Sequence, residues 1–222
     1  MIPHRSQPSA TLLAHPVIAV LRTSHARQCA PIVEALIAGG VRSIELTLTT
    51  EGVFEELAGL RARFAGSAEI GVGTVTDAHD AQQALDAGAD YLVTPVTAPE
   101  VIRAAVDRGV PVFPGAYSPT EMHTAWSLGA TAVKLFPASV VGPGYIGQLR
   151  GPFPDLPIIP SGGVSIQDAP KWIEAGALAV SLGGPLLGDA FKGGDLTALT
   201  ERAAEVTRLV AHAQAQNGLV NA

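Results

Sequence analysis

The chain has one cysteine and three lysines, and aromatic and charged residues make up only 5% and 15% of its 222 positions. A lone cysteine excludes an intrachain disulfide and a thiolate cluster for zinc, so Cys29 reads as a packed helix residue. No stretch is long and apolar enough to span a bilayer, and the opening "MIPHRSQPSA" lacks an apolar core of signal-peptide length. The expected location is the cytoplasm, without a membrane partner. A formal charge of −6 leaves no broad basic footprint for nucleic acid. A small anionic substrate stays compatible, because a local site can oppose the global sign. No Gly/Ser-rich or charge-rich spacer interrupts the pattern between Pro16 and Val210, so a single domain over 1–222 is expected. Its ends are expected to be a short extension or helix at 1–14 and a loose tail at 214–222. The histidines also lack a pattern. His4 and His15 lie near the N-terminus, while His25, His79, His123 and His212 fall in helical segments without an i, i+4 partner. No metal site is expected.

What is present is a rhythm of short apolar runs, each followed by an alanine-rich amphipathic segment. The predicted strands are 17–21, 42–46, 69–72, 90–93, 110–114, 131–135, 156–160 and 178–182. Several intervening helical patterns end in Ala-Gly, Arg-Gly or Leu-Gly, the glycine that closes a helix at positive φ. Repeated strand-helix units demand parallel strands with crossover helices. Eight such units fit a closed (β/α)₈ TIM barrel in the α/β class. An open doubly wound sheet is the alternative. It lacks its dinucleotide fingerprint, since "GVGTVT" at 71–76 has Thr76 where a third glycine belongs.

Chemistry in such a barrel lies at the C-terminal strand ends. The polar and glycine residues there are Arg22, Glu45, Thr47, Gly73, Thr74, Thr94, Pro95, Gly115, Lys134, Ser161, Gly162, Gly163, Gly183 and Gly184. Lys134 interrupts the apolar stretch "TAVKLFPAS". Among Val133, Leu135 and Phe136 its ammonium is poorly solvated, which disfavours the charged form and favours a nucleophilic amine able to form a Schiff base. The plainer reading is a lysine whose stem packs on apolar surface while its head reaches water. Alternation puts Ala132 and Lys134 on one face, and an inward face blocks that escape. Lys171 and Lys192 read as surface residues. Glu45 stands between Ile44 and Leu46 on the face shared with Ser43 and Thr47, where a buried carboxylate can exchange protons near neutrality. Its plainer reading is a salt bridge to an arginine. "PSGGVS" at 160–165 and Gly183-Gly184 offer close backbone approach to an anion, so phosphate binding is expected there. Trp126, Trp172 and Phe54 read as core.

With these residues in view, the chain resembles the 2-keto-3-deoxy-6-phosphogluconate (KDPG) and 4-hydroxy-2-oxoglutarate (KHG) aldolases from about Pro16 to Val210. The matching motifs are "VIAVLR", "GGVRSIELTLTT", "GVGTVT", "GADYLVTP", "PGAYSPTE", "VKLFPAS", "GPFPDLPIIPSGGVS" and "LGGPLL". The resemblance implies a class I, metal-free aldolase on a (β/α)₈ barrel, assembled as a homotrimer and needing no cofactor. It also implies that Lys134 forms the Schiff base and that Glu45 is the acid/base residue, working through water. Thr74 and Pro95 would lie near the pyruvate moiety, with Ser161, Gly162, Gly163 and Gly184 around the substrate phosphate. Three departures stand out. Many members carry an arginine where this chain has Thr49, and Arg22 resembles the arginine of another branch that can hold the substrate carboxylate. Pro185 follows the glycines and has no N–H to offer. "GAYSPTE" replaces the more usual Val or Ile-x-Thr-Pro.

The implied reaction is reversible cleavage of the phosphorylated keto acid KDPG to pyruvate and glyceraldehyde 3-phosphate. Its galactonate epimer and KHG are alternative substrates. A phosphate-binding isomerase or epimerase and a non-catalytic barrel scaffold are the readings outside aldolase chemistry.

Overall fold

A computed structural model describes the backbone of residues 5–220 and the side chains of 5–217, so His4 lies outside the described residues. In chain order the elements are α1 (Ala10–Ala14), β1 (Val17–Leu21), α2 (Cys29–Ala38), β2 (Ser43–Thr47), α3 (Val53–Arg63), β3 (Glu69–Gly73), α4 (Ala78–Asp86) and β4 (Leu92–Val93). There follow α5 (Pro99–Asp107), β5 (Val112–Phe113), β6 (Gly115–Ala116), α6 (Pro119–Ser127), β7 (Val133–Leu135) and α7 (Gly144–Arg150). The last are β8 (Ile158–Pro160), α8 (Ala169–Glu174), β9 (Val180–Leu182), α9 (Gly184–Leu187) and α10 (Leu196–Val220). Among the described residues the strands pair in parallel as a six-stranded sheet, β5-β4-β3-β2-β1-β9, and a three-stranded one, β6-β7-β8.

Each expected strand is found, but not as one sheet of eight. The run predicted at 110–114 contributes the last two residues of one sheet and the chain then starts the other at Gly115. Pro114 between them has no N–H for a ladder. Its carbonyl still accepts from Lys134 N at 2.8 Å, and Gly115 N donates to Thr94 Oγ1 at 3.1 Å. At the far edges a parallel bridge joins Ser161 to Ser181.

The strands bury both faces. Their outward residues pack against the helices in the larger apolar cluster, which includes Cys29 and Trp172. Inward residues Ile18, Tyr91, Val93, Phe113, Ala132, Ile159 and Ala179 form a second cluster with Leu12 of α1. Leu12 is 1% exposed, so α1, capped by Ser9 through Leu12 N to Oγ at 2.9 Å, seals the end of the interior where the strands begin. Gly71 makes room for Tyr91, whose ring occupies the space of an added Cβ.

Two expectations need correction. The tail at 214–222 is helical through Val220: α10 continues there beyond its buried stripe of Leu199, Ala203, Val206, Val210 and Ala213 at three- and four-residue spacing. Beyond the stripe Asn217 Nδ2 donates to Ile173 O at 2.7 Å; residues 221–222 lie outside the description. Trp126 is half-buried rather than core. The Arg5 guanidinium lies 3.3 Å from its ring centroid and donates to Trp126 O at 2.7 Å and Ala130 O at 2.8 Å. Phe54 likewise packs against the core from its edge. No described helix is long and apolar enough to cross a membrane.

Candidate active site

Period-two alternation in β2 turns Ser43, Glu45 and Thr47 to one face while Ile44 and Leu46 join the outer cluster. On β7, Val133 and Leu135 join the same outer cluster, so Lys134 points inward above Ala132. Tertiary structure brings the two together. Lys134 Nζ stands 3.5 Å from Glu45 Oε1, with the side chains 10% and 2% exposed. The carboxylate's partner is therefore this lysine, not an arginine. Gly73, on the neighbouring strand, is needed because a Cβ there would collide with Glu45 Oε1. The Phe136 ring centroid lies 5.8 Å from Lys134 Nζ.

Around this pair the mouth is polar. Arg22 follows β1 and donates from Nη1 to Thr49 Oγ1 at 2.6 Å and from Nη2 to Thr74 Oγ1 at 3.5 Å. Thr74 has φ of +62°, a left-handed conformation that costs a β-branched residue on the order of 1–3 kcal/mol and clusters at functional sites. Gly115 lets the Pro95 carbonyl approach, since a Cβ would strike it, and Thr97 Oγ1 closes that loop onto Gly115 O at 2.9 Å. Ser161 Oγ donates to Ser181 Oγ at 3.2 Å, both buried. Gly162 and Gly163 follow at φ of +85° and +78°, packed so close to Phe136 and Ser139 that a side chain would not fit. Across from them α9 begins at Gly184, with Pro185 next.

Arg22, Glu45, Thr74, Pro95, Lys134, Ser161, Gly162, Gly163 and Gly184 all line one cavity of about 250 Å³ at the C-terminal strand ends. Its ionisable groups are Arg22, Lys134 and Glu45. Sequence reading did not identify Val20 and Phe136 as lining residues, although Phe136 directly follows the strand of Lys134. It named Thr74 and noted Thr49, but not that both accept hydrogen bonds from Arg22. A larger cavity of about 890 Å³ lies near α1 at the opposite strand ends, lined by Ser9, His15, Arg42, Arg61, Glu69 and Asp90 among others. It contains none of the expected residues, and Arg61 there is paired with Asp90 at 2.6 Å. Among the described residues no three His, Cys, Asp or Glu side chains gather as metal ligands. His25 Nδ1 accepts from Arg27 N at 3.2 Å as a helix cap, and His123 packs on Phe153. Burial, with Glu56 adding to it, pushes the Cys29 thiol up to about 12, which leaves it a packing residue.

Parallel strands wrapped by helices, with polar side chains converging on a cavity at their C-terminal ends, define an α/β enzyme. The particular family follows from comparison: the chain belongs to the family described as "Aldolase: KDPG and KHG aldolase", whose sequence profile matches residues 9–202. It is 34% identical to the 2-dehydro-3-deoxy-phosphogluconate aldolase of Treponema pallidum, covering 71% of this chain and 75% of that protein. It is equally 34% identical to the 2-dehydro-3-deoxy-6-phosphogalactonate aldolase of Escherichia coli, over 77% and 84% of the two chains. Among solved structures, the KDPG aldolase of Legionella pneumophila, with pyruvate captured as a covalent carbinolamine, superposes with a TM-score of 0.80 at 28% identity. That match covers 90% of this chain and 98% of the other.

Proposed function

We propose that this chain is a class I aldolase that reversibly cleaves KDPG to pyruvate and glyceraldehyde 3-phosphate without a metal, on strands closed into a (β/α)₈ barrel. The observation that carries the reading is the buried Lys134 Nζ, 3.5 Å from Glu45 Oε1 inside a cavity that Arg22 also lines. In the scheme, the neutral Lys134 amine adds to the C2 ketone to give a carbinolamine, and its protonation and loss of water leave an iminium ion, the proton being returned when the final iminium is hydrolysed. Glu45 takes the C4 hydroxyl proton, through water, as the C3–C4 bond breaks, and the electron pair moves into the iminium to form an enamine. Glyceraldehyde 3-phosphate leaves; protonation at C3 and hydrolysis release pyruvate and regenerate the amine. Arg22 would pair with the substrate carboxylate, its fork suited to two parallel hydrogen bonds. Thr74 and Pro95 would border the pyruvate moiety. Ser161 and the backbone at Gly162, Gly163 and Gly184 would take the phosphate, with Pro185 withholding one donor.

Barrel closure is supported by the Ser161–Ser181 bridge and by the single residue, Pro114, that separates β5 from β6. Exposed Val96, Tyr117, Phe136 and Val140 follow β4, β6 and β7, and this apolar rim supports the homotrimer that light scattering would test.

The decisive experiment is borohydride reduction with pyruvate present. A stable adduct of reduced pyruvate on Lys134 is expected, together with loss of aldol cleavage that a chelator does not cause; no adduct rejects the scheme. The second substrate reading, the galactonate epimer, is favoured by the equal identity to the E. coli phosphogalactonate aldolase. Comparing kcat/KM for the two epimers and for KHG decides among them. An isomerase using Lys134 merely as a cation would survive borohydride.

A further inference from the structure

Arg22 is exposed at the end of β1, where a long flexible side chain would ordinarily sample many rotamers. Hydrogen-bond direction shows what restrains it. A guanidinium has only donors, so Thr49 Oγ1 accepts from Nη1 at 2.6 Å. The Thr49 hydroxyl proton is then directed elsewhere, and Thr47 Oγ1 lies 3.1 Å away. Thr47 Oγ1 donates its own single proton to Leu21 O at 3.0 Å, so between the two threonines Thr49 must be the donor. The relay therefore runs one way, from Arg22 through Thr49 and Thr47 to the carbonyl of Leu21, the residue before Arg22. It closes a ring that ties the guanidinium to the backbone of its own strand. The inner half is firm: Thr47 is fully buried, and the adjacent Thr50 Oγ1 accepts from Thr23 N at 3.1 Å. The outer half depends on one exposed hydroxyl, that of Thr49.

We propose that Thr49 is a positioning residue for ligand carboxylate: it holds Arg22 at the cavity through this directed hydroxyl relay, with Thr74 Oγ1 taking the longer 3.5 Å bond from Nη2. The proposal rests on the reading of Arg22 as the carboxylate's partner. Thr49 would do its work by aiming a cation rather than by touching substrate.

Thr49→Val keeps the shape and removes the hydroxyl, and Thr49→Ser returns it. The readout is the pyruvate concentration that gives half-maximal borohydride trapping at Lys134. Thr49→Val is expected to raise it about tenfold, the low end of the scale for one hydrogen bond to a charged group, with a smaller change in maximal trapping. Thr49→Ser is expected to restore the parental value. In an Arg22→Ala background Thr49→Val is expected to add nothing, because the group it aims is gone. A parental pyruvate dependence in Thr49→Val, or a Thr49→Val effect that persists without Arg22, overturns the proposal. Unchanged pyruvate dependence in Arg22→Ala also overturns it, by removing Arg22 from the carboxylate role. Absence of trapping in the parent protein is the distinct failure of the imine scheme.

Discussion

Gly73 lacks a side chain because the Glu45 carboxylate occupies the space one would need. The consequence is testable without touching an ionisable group. In Gly73→Ala the new methyl must displace Glu45 from its position beside Lys134, and misplacing a reacting group by about 1 Å can cost about 100-fold in rate. The expected result is a loss of cleavage of that order with the circular dichroism of the parent. Parental activity would mean that the carboxylate's present position is not the one that matters. Lys134 and Glu45 themselves were legible from sequence, because an ionic residue interrupting an apolar strand is costly unless the fold gives it a partner. The partners of Arg22 were not legible. Thr49 was noted as a departure from the family pattern, but nothing in the string "LTLTT" says that its hydroxyl meets a residue 27 positions away.

At the level of elements, α1 is five residues long, too short to persist as an isolated helix. Its stability comes from the Ser9 cap and from Leu12, which joins Ile18, Tyr91 and Phe113 in the inner cluster. Leu12→Ala is expected to leave a cavity in the inner cluster and cost about 2–4 kcal/mol in unfolding free energy, measured by urea titration. A loss below about 1 kcal/mol would mean that the helix does not seal the interior. The same inner cluster explains why the helix was readable only as a possibility. "ATLLA" offers little periodicity, and its docking site is assembled from several distant strands. The strand run at 110–114 was read as one element because its apolar content is continuous. Its division into β5 and β6 follows from Pro114 lacking an N–H. Conversely, α10 carried its three- and four-residue spacing in plain sight as far as Ala213, but the polar "QAQN" that follows looks like a tail until Asn217 is seen bonded to Ile173.

For the molecule as a whole, the end opposite the cavity carries a pH liability. Burial raises the Glu69 carboxyl above its ordinary range, with Asp90 adding to the shift and the Ser43 and Ser9 hydroxyls opposing it. A carboxyl raised on folding contributes stability that is present below its unfolded value and lost as pH climbs through the folded one. The window therefore opens at the ordinary value of 4.5 and extends upward. Glu69→Gln, which keeps the neutral form's shape, is expected to raise the urea midpoint at neutrality and to flatten the stability loss between pH 4.5 and neutral; a parallel pH profile in both proteins would contradict this. Local pattern alone determined the alternation of strands and helices, the inward faces of Lys134 and Glu45, and the glycine loops that follow the last strands. These depend on periodicity and backbone freedom, which neighbouring residues encode. Only the tertiary structure decided that Lys134 and Glu45, 89 residues apart, meet at 3.5 Å, that Thr49 and Thr47 tie Arg22 to its own strand, and that the strands divide at a proline. Those facts depend on register between strands and on the direction of hydrogen bonds across them, and no stretch of chain carries that information by itself.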